Sequence, residues 1–235
     1  GGASNHLQEH ADNIRASLFG LAEQILRSAD LRREEVACFS AGLAGVDYDG
    51  YGAQPMLTLF QKFGFKRRLV HGDMVIAHTA ALEGGPGIVA VAGPGSSILG
   101  VDASGRRAKV GGWGPVYGNE ASAQWISHRA LQAAARAYDG RGPSTSLLDA
   151  FLQTLGISDF RDSLSWIYGP QPRDIPSLCR VVSDCAVSGD PVACSLFEDA
   201  AAAVVEGMIA AASRLRFEDS PIPVSYQGGI AEHCP

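Results

Sequence analysis

Several features that would place the chain in a specialised class are missing from its sequence. Its 19 Lys and Arg residues stand against 25 Asp and Glu, for a net charge of −6, and no Lys/Arg block is present, so we expect no nucleic-acid partner. Its apolar runs are shorter than the roughly 18 residues of a membrane span, so we expect no membrane partner. The sequence contains no charged segment followed by an apolar one, so we expect no signal peptide.

The five cysteines and six histidines form no recognisable framework. The cysteines are odd in number and no pair has Cys-x-x-Cys spacing, which argues against a disulfide framework and a structural zinc site. The histidines are scattered, and no Gly-x-Ser-x-Gly elbow supports a serine hydrolase. We therefore expect reduced thiols in a cytoplasmic protein. The cysteines are Cys38, Cys179, Cys185, Cys194 and Cys234.

Glycine, in contrast, is abundant. The chain has 28 glycines, many in tight groups, which is typical of loops where the backbone approaches a ligand or another stretch of backbone. Hydrophobic residues make up 46% of the chain and charged residues 19%, as in an ordinary globular protein. The length allows one large domain or two small ones.

Helix and strand patterns alternate in the first third of the chain. Helical spacing of apolar residues predicts a helix over 7–29, and a short apolar run predicts a strand over 35–40 that leads into a glycine loop at 41–45. The next predicted elements are a helix over 55–63, a strand over 67–71 and a helix over 74–82. This alternation favours an α/β fold with a parallel or mixed sheet.

A glycine-rich segment at 84–87 marks a predicted boundary between a first domain at 1–84 and a second at 85–235. Glycine-containing turns beyond it predict a meander of three strands, over 88–92, 96–101 and 108–111. From Asn119 onward the pattern is almost all helical. The predicted elements are helices over 120–138, 144–155, 159–168, 175–188 and 191–216, and a closing strand over 223–226.

Two glycine turns after predicted strands could contact a nucleotide. The turn Gly93-Pro94-Gly95-Ser96 could bring backbone N–H groups onto a phosphate. The pair Gly228-Gly229 could let an adenine or a ribose approach the backbone. Glycine is also common in ordinary turns, so a purely structural role stays open for both.

Trp113 is framed by glycines and lies outside any periodic pattern, which is unusual for a core residue. This setting suits a loop that stacks on a sugar face, and Asn119 offers an amide that could bond to sugar hydroxyls. A tight loop with a packing tryptophan is the alternative.

Asp73 follows a predicted strand and precedes a predicted helix. Open α/β sheets bind ligands beyond the carboxyl ends of their strands, which makes Asp73 a candidate functional carboxylate. It could equally be the N-cap of the helix, and one residue could serve both roles.

In their order along the chain, these motifs resemble the N-acetylglucosamine kinase branch of the BadF/BadG/BcrA/BcrD ATPase family, whose fold is that of sugar kinases, actin and Hsp70. The resemblance covers residues 1 to about 229. Its most specific part is the Trp-Gly pair followed by a Gly-x-Glu-x-Ser segment. The motifs are Gly1-Gly-Ala-Ser-Asn-His, Ser40-Ala-Gly-Leu-Ala-Gly, Gly72-Asp, Gly93-Pro-Gly-Ser, Gly112-Trp-Gly, Gly118-Asn-Glu-Ala-Ser, Asp139-Gly-Arg-Gly, Gly189-Asp-Pro and Gln227-Gly-Gly.

The resemblance implies two ribonuclease-H-like domains with a cleft between them, an amino-sugar substrate, ATP and Mg²⁺ as cofactors, and a homodimer. It assigns Asp73 as the general base that takes the proton of the sugar 6-hydroxyl, and it assigns no metal ligand. The residues it assigns to the sugar are Asn5, Trp113, Gly114, Asn119 and Ala123. The residues it assigns to ATP are Gly93, Pro94, Gly95, Ser96, Gly228 and Gly229.

Three departures from the family pattern affect these expectations. The family's Asp-Gly-Gly-Gly-Thr phosphate loop does not precede Gly1, so we expect a first domain truncated at its N-terminus and a second domain truncated at its end. Pro94 replaces a threonine of the second phosphate loop and removes an N–H and a hydroxyl. Asn119 replaces an aspartate, and a neutral acceptor forms weaker hydrogen bonds than a charged one.

We expect ATP-dependent phosphorylation of N-acetylglucosamine or glucosamine. The substitutions at Pro94 and Asn119 leave open a non-catalytic relative that binds a sugar or a nucleotide. A third alternative is the ATPase-activator branch of the family, which holds an iron–sulfur cluster. It is disfavoured because Cys179, Cys185 and Cys194 fall on predicted helices rather than in glycine-rich loops.

Overall fold

The structure is a computed structural model, which describes residues 11–169, 174–218 and 221–235. The chain divides by its internal contacts into two compact units, Gly1–Gly84 and Gly85–Pro235. Each unit combines helices with a β-sheet, so the protein has a mixed α/β fold. No helix in the described ranges is long and apolar enough to cross a membrane.

The first unit is built on two parallel strands. Its elements are α1 (Ala11–Ser28), a 3-10 turn (Arg33–Glu35), β1 (Phe39–Leu43), α2 (Ala53–Gln61), β2 (Arg68–Gly72) and α3 (Asp73–Leu82). The strands β1 and β2 pair in register from Phe39 opposite Arg68 to Leu43 opposite Gly72. The parallel pairing confirms what the alternating helix and strand patterns predicted.

A cluster of phenylalanines forms the core of the first unit. The ring of Phe39 on β1 stacks on Phe65 with centroids 4.7 Å apart, and it meets Phe60 of α2 edge-on at 5.0 Å. Phe60 and Phe63 are 0% and 1% exposed. Aromatic pairs of this kind contribute about 0.5–1.5 kcal/mol each beyond their buried area, so the cluster holds the strands and α2 together.

The predicted first strand is wrong in its position. The strand begins at Phe39 and continues through Gly42 to Leu43, where a glycine loop had been expected. The physical reason is close packing, because a Cβ atom on Gly42 would lie 2.2 Å from Cγ1 of Ile76 on α3. A glycine within a strand often marks such a close approach, so Gly42 belongs to the strand and accommodates the helix.

The second unit contains a four-stranded sheet in the order β5-β4-β3-β6. The strands are β3 (Gly87–Ala92), β4 (Ser96–Val101), β5 (Arg107–Gly111) and β6 (Val224–Gln227). The first three form the predicted antiparallel meander, and β6 returns to pair in parallel with β3. The carboxyl ends of β3 and β6 therefore lie side by side, which brings Gly93 and Gly228 to the same edge.

Helices make up most of the rest of this unit. They are α4 (Ala123–Tyr138), α5 (Leu147–Leu155), α6 (Ser163–Tyr168), α7 (Cys179–Val187), α8 (Pro191–Ser213) and α9 (Gly229–His233). Side chains from α4, α5, α7 and α8 share one large core, and α8 also packs on one face of the sheet through Ala211 and Met208. The long helix α8 therefore links the helical part to the sheet.

The Asp190-Pro191 pair starts α8 as the sequence predicted. Asp190 is the N-cap and accepts a hydrogen bond from the Ala193 N–H at 2.8 Å. Its carboxylate also accepts the Ser146 N–H at 2.6 Å and the Thr145 hydroxyl at 2.9 Å. One buried carboxylate thus fixes the starts of both α5 and α8.

Other helix boundaries differ from prediction for identifiable reasons. Helix α4 begins at Ala123 instead of 120, because Asn119 and Ala121 have positive φ angles that a right-handed helix excludes. The helices expected over 159–168 and 175–188 each open as a 3-10 turn. The short helix α9 follows Gly228 where only a turn was expected.

Candidate functional site

The glycine turn between β3 and β4 is tied to the start of α4. The Gly93 N–H donates to the carbonyl of Gly95 at 2.9 Å, which closes the turn. The Ala123 N–H donates to the Gly93 carbonyl at 2.8 Å, and the Ser96 hydroxyl donates to the Glu120 carbonyl at 2.6 Å. Gly93, Gly95, Ser96 and Ala123, assigned separately to ATP and sugar, therefore belong to one hydrogen-bonded assembly.

Asn119 joins the tryptophan loop to this turn. Its side-chain oxygen accepts the Gly114 N–H at 3.2 Å. A Cβ atom on Gly95 would lie 3.3 Å from its amide nitrogen, so its side chain fills the space beside the turn. Asn119 is 8% exposed, whereas the Trp113 side chain is 75% exposed. The buried amide thus positions a loop that presents an open aromatic ring to solvent.

The segment from Asn119 to Ser122 has an unusual backbone. Asn119 and Ala121 have φ angles of 62° and 65°, in the left-handed region. Asparagine tolerates this conformation, but for alanine it costs roughly 1–2 kcal/mol. Ser122 then caps α4 by accepting the Trp125 N–H at 3.1 Å. The strained residues reverse the chain so that Asn119 and the start of α4 both meet the glycine turn.

Gly228 is required by a close approach between two strand ends. Its φ angle is 103°, and a Cβ atom there would lie 2.4 Å from the carbonyl oxygen of Ala92. Gly229 differs, because its added Cβ would meet nothing within 4 Å. Gly228 and Gly93, which were both predicted to contact the nucleotide, thus lie beside each other because only glycine fits at position 228.

Asp73 lies in the first unit, at the carboxyl end of β2. The N-cap of α3 is Gly72 and Asp73 is its first helical residue, so the alternative in which Asp73 is the N-cap is wrong. The carboxylate is exposed and accepts the N–H of the adjacent Met74 at 2.8 Å. A Cβ atom on Gly72 would lie 2.4 Å from the carbonyl oxygen of Val46, so tight backbone packing fixes where Asp73 begins.

The predicted residues are therefore distributed over both units. Trp113, Gly114, Asn119, Ala123, the glycine turn and Gly228-Gly229 belong to the second unit, and Asp73 belongs to the first. Asn5, predicted to contact the sugar, lies outside the described residues. Pro94 lies within the turn and, as a proline, contributes no N–H there.

The described residues contain no group of three or more His, Cys, Asp or Glu side chains that could hold a metal ion. The residues present in this part of the chain therefore do not fit a Mg²⁺ site made by the protein alone. The space beside Gly93 is open, because an added Cβ there would meet nothing within 4 Å, so the turn leaves room for a ligand at this point.

The cysteines differ in their burial and are not joined by disulfides. All five are free, and Cys179 and Cys185 are buried in the helical core. Burial, together with the neighbouring Cys234, raises the pKa of the Cys179 thiol to about 12. A thiol held protonated is a poor metal ligand.

Sequence reasoning missed a cavity of about 260 Å³ between α8 and the sheet. Trp113 and Glu120 line it at the tryptophan loop, and Gly207 lines it on α8. The signal available in the sequence was a helix rich in small residues, Ala200–Ala203 followed by Gly207 and Ala210, which cannot fill the space beneath it.

The chain is similar in sequence to kinases of amino sugars. It is 28% identical over 233 residues to an N-acetylmuramic acid/N-acetylglucosamine kinase of Clostridium acetobutylicum, a match that covers 97% of this chain and 76% of that protein. It is 29% identical over 168 residues to an N-acetyl-D-glucosamine kinase of Dictyostelium discoideum, which covers 69% of this chain. That match spans about half of the relative, 53% of its length.

Solved structures show the same fold. A candidate N-acetylglucosamine kinase from Chromobacterium violaceum matches with a TM-score of 0.78 at 29% identity, covering 99% of this chain and 78% of that one. A second from Porphyromonas gingivalis matches with a TM-score of 0.72 at 20% identity, which supports the fold alone. A model of the BadF/BadG/BcrA/BcrD ATPase family matches residues 2–235, which confirms the family resemblance. The chain therefore belongs to the BadF/BadG/BcrA/BcrD ATPase family.

Proposed function

We propose that the protein is an ATP-dependent kinase that phosphorylates an amino sugar, N-acetylglucosamine or glucosamine, at its 6-hydroxyl. The observation that carries this proposal is the convergence of the glycine turn, the Trp113 loop and Asn119 at the start of α4. Membership of an ATPase family and similarity to proteins named as N-acetylglucosamine kinases support it. In this proposal the two units are the two ribonuclease-H-like domains, and a homodimer and a cytoplasmic location stay predictions.

The glycine turn and Gly228-Gly229 would hold ATP. Phosphoryl transfer needs little covalent chemistry from the protein, so positioning and electrostatic stabilisation supply most of the catalysis. The Gly93 N–H is already donated to the Gly95 carbonyl and Pro94 has no N–H, so the turn would offer phosphate oxygens the N–H of Gly95. Mg²⁺ neutralises charge in most reactions of this class, and we assign it no ligand among the described residues.

Trp113, Gly114, Asn119 and Ala123 would hold the sugar. The exposed Trp113 ring provides an apolar face for a sugar ring, and the loop is fixed by the bond from Gly114 to Asn119. The backbone N–H of Ala123 is already bonded to Gly93, so Ala123 acts by holding the sugar loop against the phosphate turn.

Asp73 would act as the general base. An exposed carboxylate at the end of a strand can accept the proton of the 6-hydroxyl as its oxygen attacks the γ-phosphate. Positioned proton transfer of this kind contributes about 10²–10⁴ in rate. Only the carboxylate form can serve, because a protonated acid or an amide has no capacity to accept the proton.

The test is sugar-dependent ADP release with glucose, glucosamine and N-acetylglucosamine as acceptors. We expect Asp73→Asn to lower kcat about 10²–10⁴-fold, which is the contribution of a general base. Asp49→Asn is the matched control, because Asp49 is also exposed and also accepts a nearby backbone N–H, that of Tyr51 at 2.9 Å. Full activity in Asp73→Asn would refute the base role, and no sugar-dependent ADP from the wild type would refute the kinase.

A non-catalytic protein that binds a sugar or a nucleotide is the second candidate. The specific observation in its favour is that Pro94 occupies the phosphate turn without a donor and that Asn119 is neutral and already bonded to Gly114. Calorimetry that detects sugar binding by a protein with no turnover would support this alternative. Turnover with Pro94 and Asn119 unchanged would exclude it.

A further inference from the structure

We propose that this kinase accepts amino sugars whose neutral N-acyl group is longer than acetyl, and that the acyl chain enters the cavity between α8 and the sheet. The inference rests on the proposed function and extends it to a substrate class. It depends on the location, the lining and the charge of that cavity.

The cavity adjoins the residues proposed to hold the sugar. Trp113 and Ser96 line it at one end, next to the tryptophan loop and the glycine turn. A sugar ring stacked on Trp113 would therefore have its substituents at the entrance. Beyond this entrance the walls are aliphatic, from the sheet and from α8. These wall residues are Ala90, Ile98, Val110, Ala203, Val204 and Ala210.

The cavity exists because α8 contacts the sheet closely at a glycine and carries small residues beside it. A Cβ atom on Gly207 would lie 2.4 Å from Cδ1 of Ile98, so the helix touches the strand there without a side chain. Ala203 and Ala210 flank this contact and cannot reach the sheet with a single methyl group. The space that larger side chains would fill stays open.

The volume exceeds what an acetyl group needs. An apolar protein cavity of about 150 Å³ holds a benzene molecule, with six carbon atoms. The present cavity measures about 260 Å³. The one methyl group of an acetyl substituent would leave most of it empty, whereas an unbranched chain of four to six carbons would make extensive contact with its walls.

The charges around the cavity favour a neutral chain. The charged residues that line it are Glu120 and Glu206, and no Lys or Arg among the described residues does so. Tyr226 also lines the cavity, and burial raises the pKa of its phenol, so it stays uncharged at neutral pH. Both glutamates would repel a carboxylate on the substituent, and because both are exposed to solvent this repulsion disfavours an acidic group without excluding it.

The first measurement is kcat/KM for glucosamine carrying acetyl, propanoyl, butanoyl and hexanoyl groups. A fully buried methylene contributes about 0.8 kcal/mol, and because the cavity is partly open to solvent we expect a rise of up to about fourfold in kcat/KM per carbon from acetyl to butanoyl. A wild-type protein that phosphorylates the acetyl sugar but loses activity with each added carbon would overturn the inference and leave the kinase assignment intact. Failure with every sugar would refute both.

A cavity-filling variant separates the cavity from the rest of the site. In Ala203→Leu the larger side chain occupies the cavity, and we expect the gain with chain length to disappear while activity on the acetyl sugar stays within about twofold, because acetyl barely uses that space. Ala202→Leu is the matched control, since Ala202 is exposed on the adjacent position of α8 and should keep the full series. Ala210→Leu provides a second filling variant if Ala203→Leu does not fold. An unchanged series in a folded filling variant would refute the proposal.

Discussion

Ala121 offers a sharp test of the strain in the segment that links the two loops. It has a φ angle of 65° and is 0% exposed, so it combines a strained backbone with a buried methyl group. Replacing Ala121 with glycine relieves the backbone strain and removes the buried methyl group. The same replacement at Ala134, in the interior of α4 and also 0% exposed, removes a methyl group without relieving any strain.

The two substitutions have different expected free energies of unfolding. At either site, loss of the buried methyl costs about 0.8 kcal/mol. At Ala134 the lower helix propensity of glycine adds about 1 kcal/mol, so Ala134→Gly should destabilise by about 2 kcal/mol. At Ala121, glycine relieves roughly 1–2 kcal/mol of left-handed backbone strain, which offsets the lost methyl. Glycine also raises the entropy of the unfolded chain, which costs about 0.4–1 kcal/mol. The free energy of unfolding of Ala121→Gly should therefore lie within about 1 kcal/mol of that of the wild type.

Urea denaturation followed by tryptophan fluorescence measures this difference. The 3 tryptophans, Trp113, Trp125 and Trp166, all lie in the second unit, as do both alanines, so the signal reports the unit that is changed. A loss in Ala121→Gly as large as that in Ala134→Gly, at an unchanged denaturant slope, would show that the left-handed conformation at Ala121 stores no strain.

Two further predictions concern the edges of the second unit. Burial alone would raise the pKa of Asp190, but its bonds from the N–H groups of Ala193 and Ser146 and from hydroxyls hold it below its ordinary value of 3.8. Asp190→Asn should therefore lower the free energy of unfolding by about 2 kcal/mol at pH 7. In urea titrations this difference should persist above pH 3.8 and be lost as the pH falls through the lower folded pKa of Asp190. A difference that does not change with pH would contradict the prediction. Gly228→Ala should lower the free energy of unfolding by roughly 2–4 kcal/mol and weaken ATP binding in calorimetry. Gly229→Ala should leave the free energy of unfolding unchanged or raise it by up to about 1 kcal/mol. Equal changes in stability for the two variants would show that the contact of residue 228 with Ala92 is unimportant.

The strands of the second unit were predictable because each is a short apolar run between glycine turns. The strand β4 agrees with the prediction at both ends, and the meander pairs as expected. Parallel return of β6 to β3 was not derivable from local pattern, because it depends on which side of the sheet α8 crosses. The positions of the strands could therefore be predicted from the local sequence, whereas their order in the sheet could not.

The errors in the first unit have a different cause. Gly42 carries the same local signal in a loop and in a strand, and only the distance to Ile76 shows that packing against α3 requires it. Asp73 likewise has the composition of an N-cap, but Gly72 takes that position because Val46 lies against it. Tertiary contacts decided both cases, and a single sequence does not contain them.

The candidate site residues were predicted from the order of motifs along the chain, and the structure adds how they are held. Asn119 departs from the aspartate of the family pattern, yet its side-chain oxygen accepts the Gly114 N–H that a carboxylate could also accept. Because the buried amide still joins the tryptophan loop to the glycine turn, the substitution changes the charge of the site without removing its framework. Because a neutral acceptor forms weaker hydrogen bonds than a charged one, the substitution would weaken the proposed sugar contact without disturbing the loop, so Asn119 is compatible with the proposed kinase.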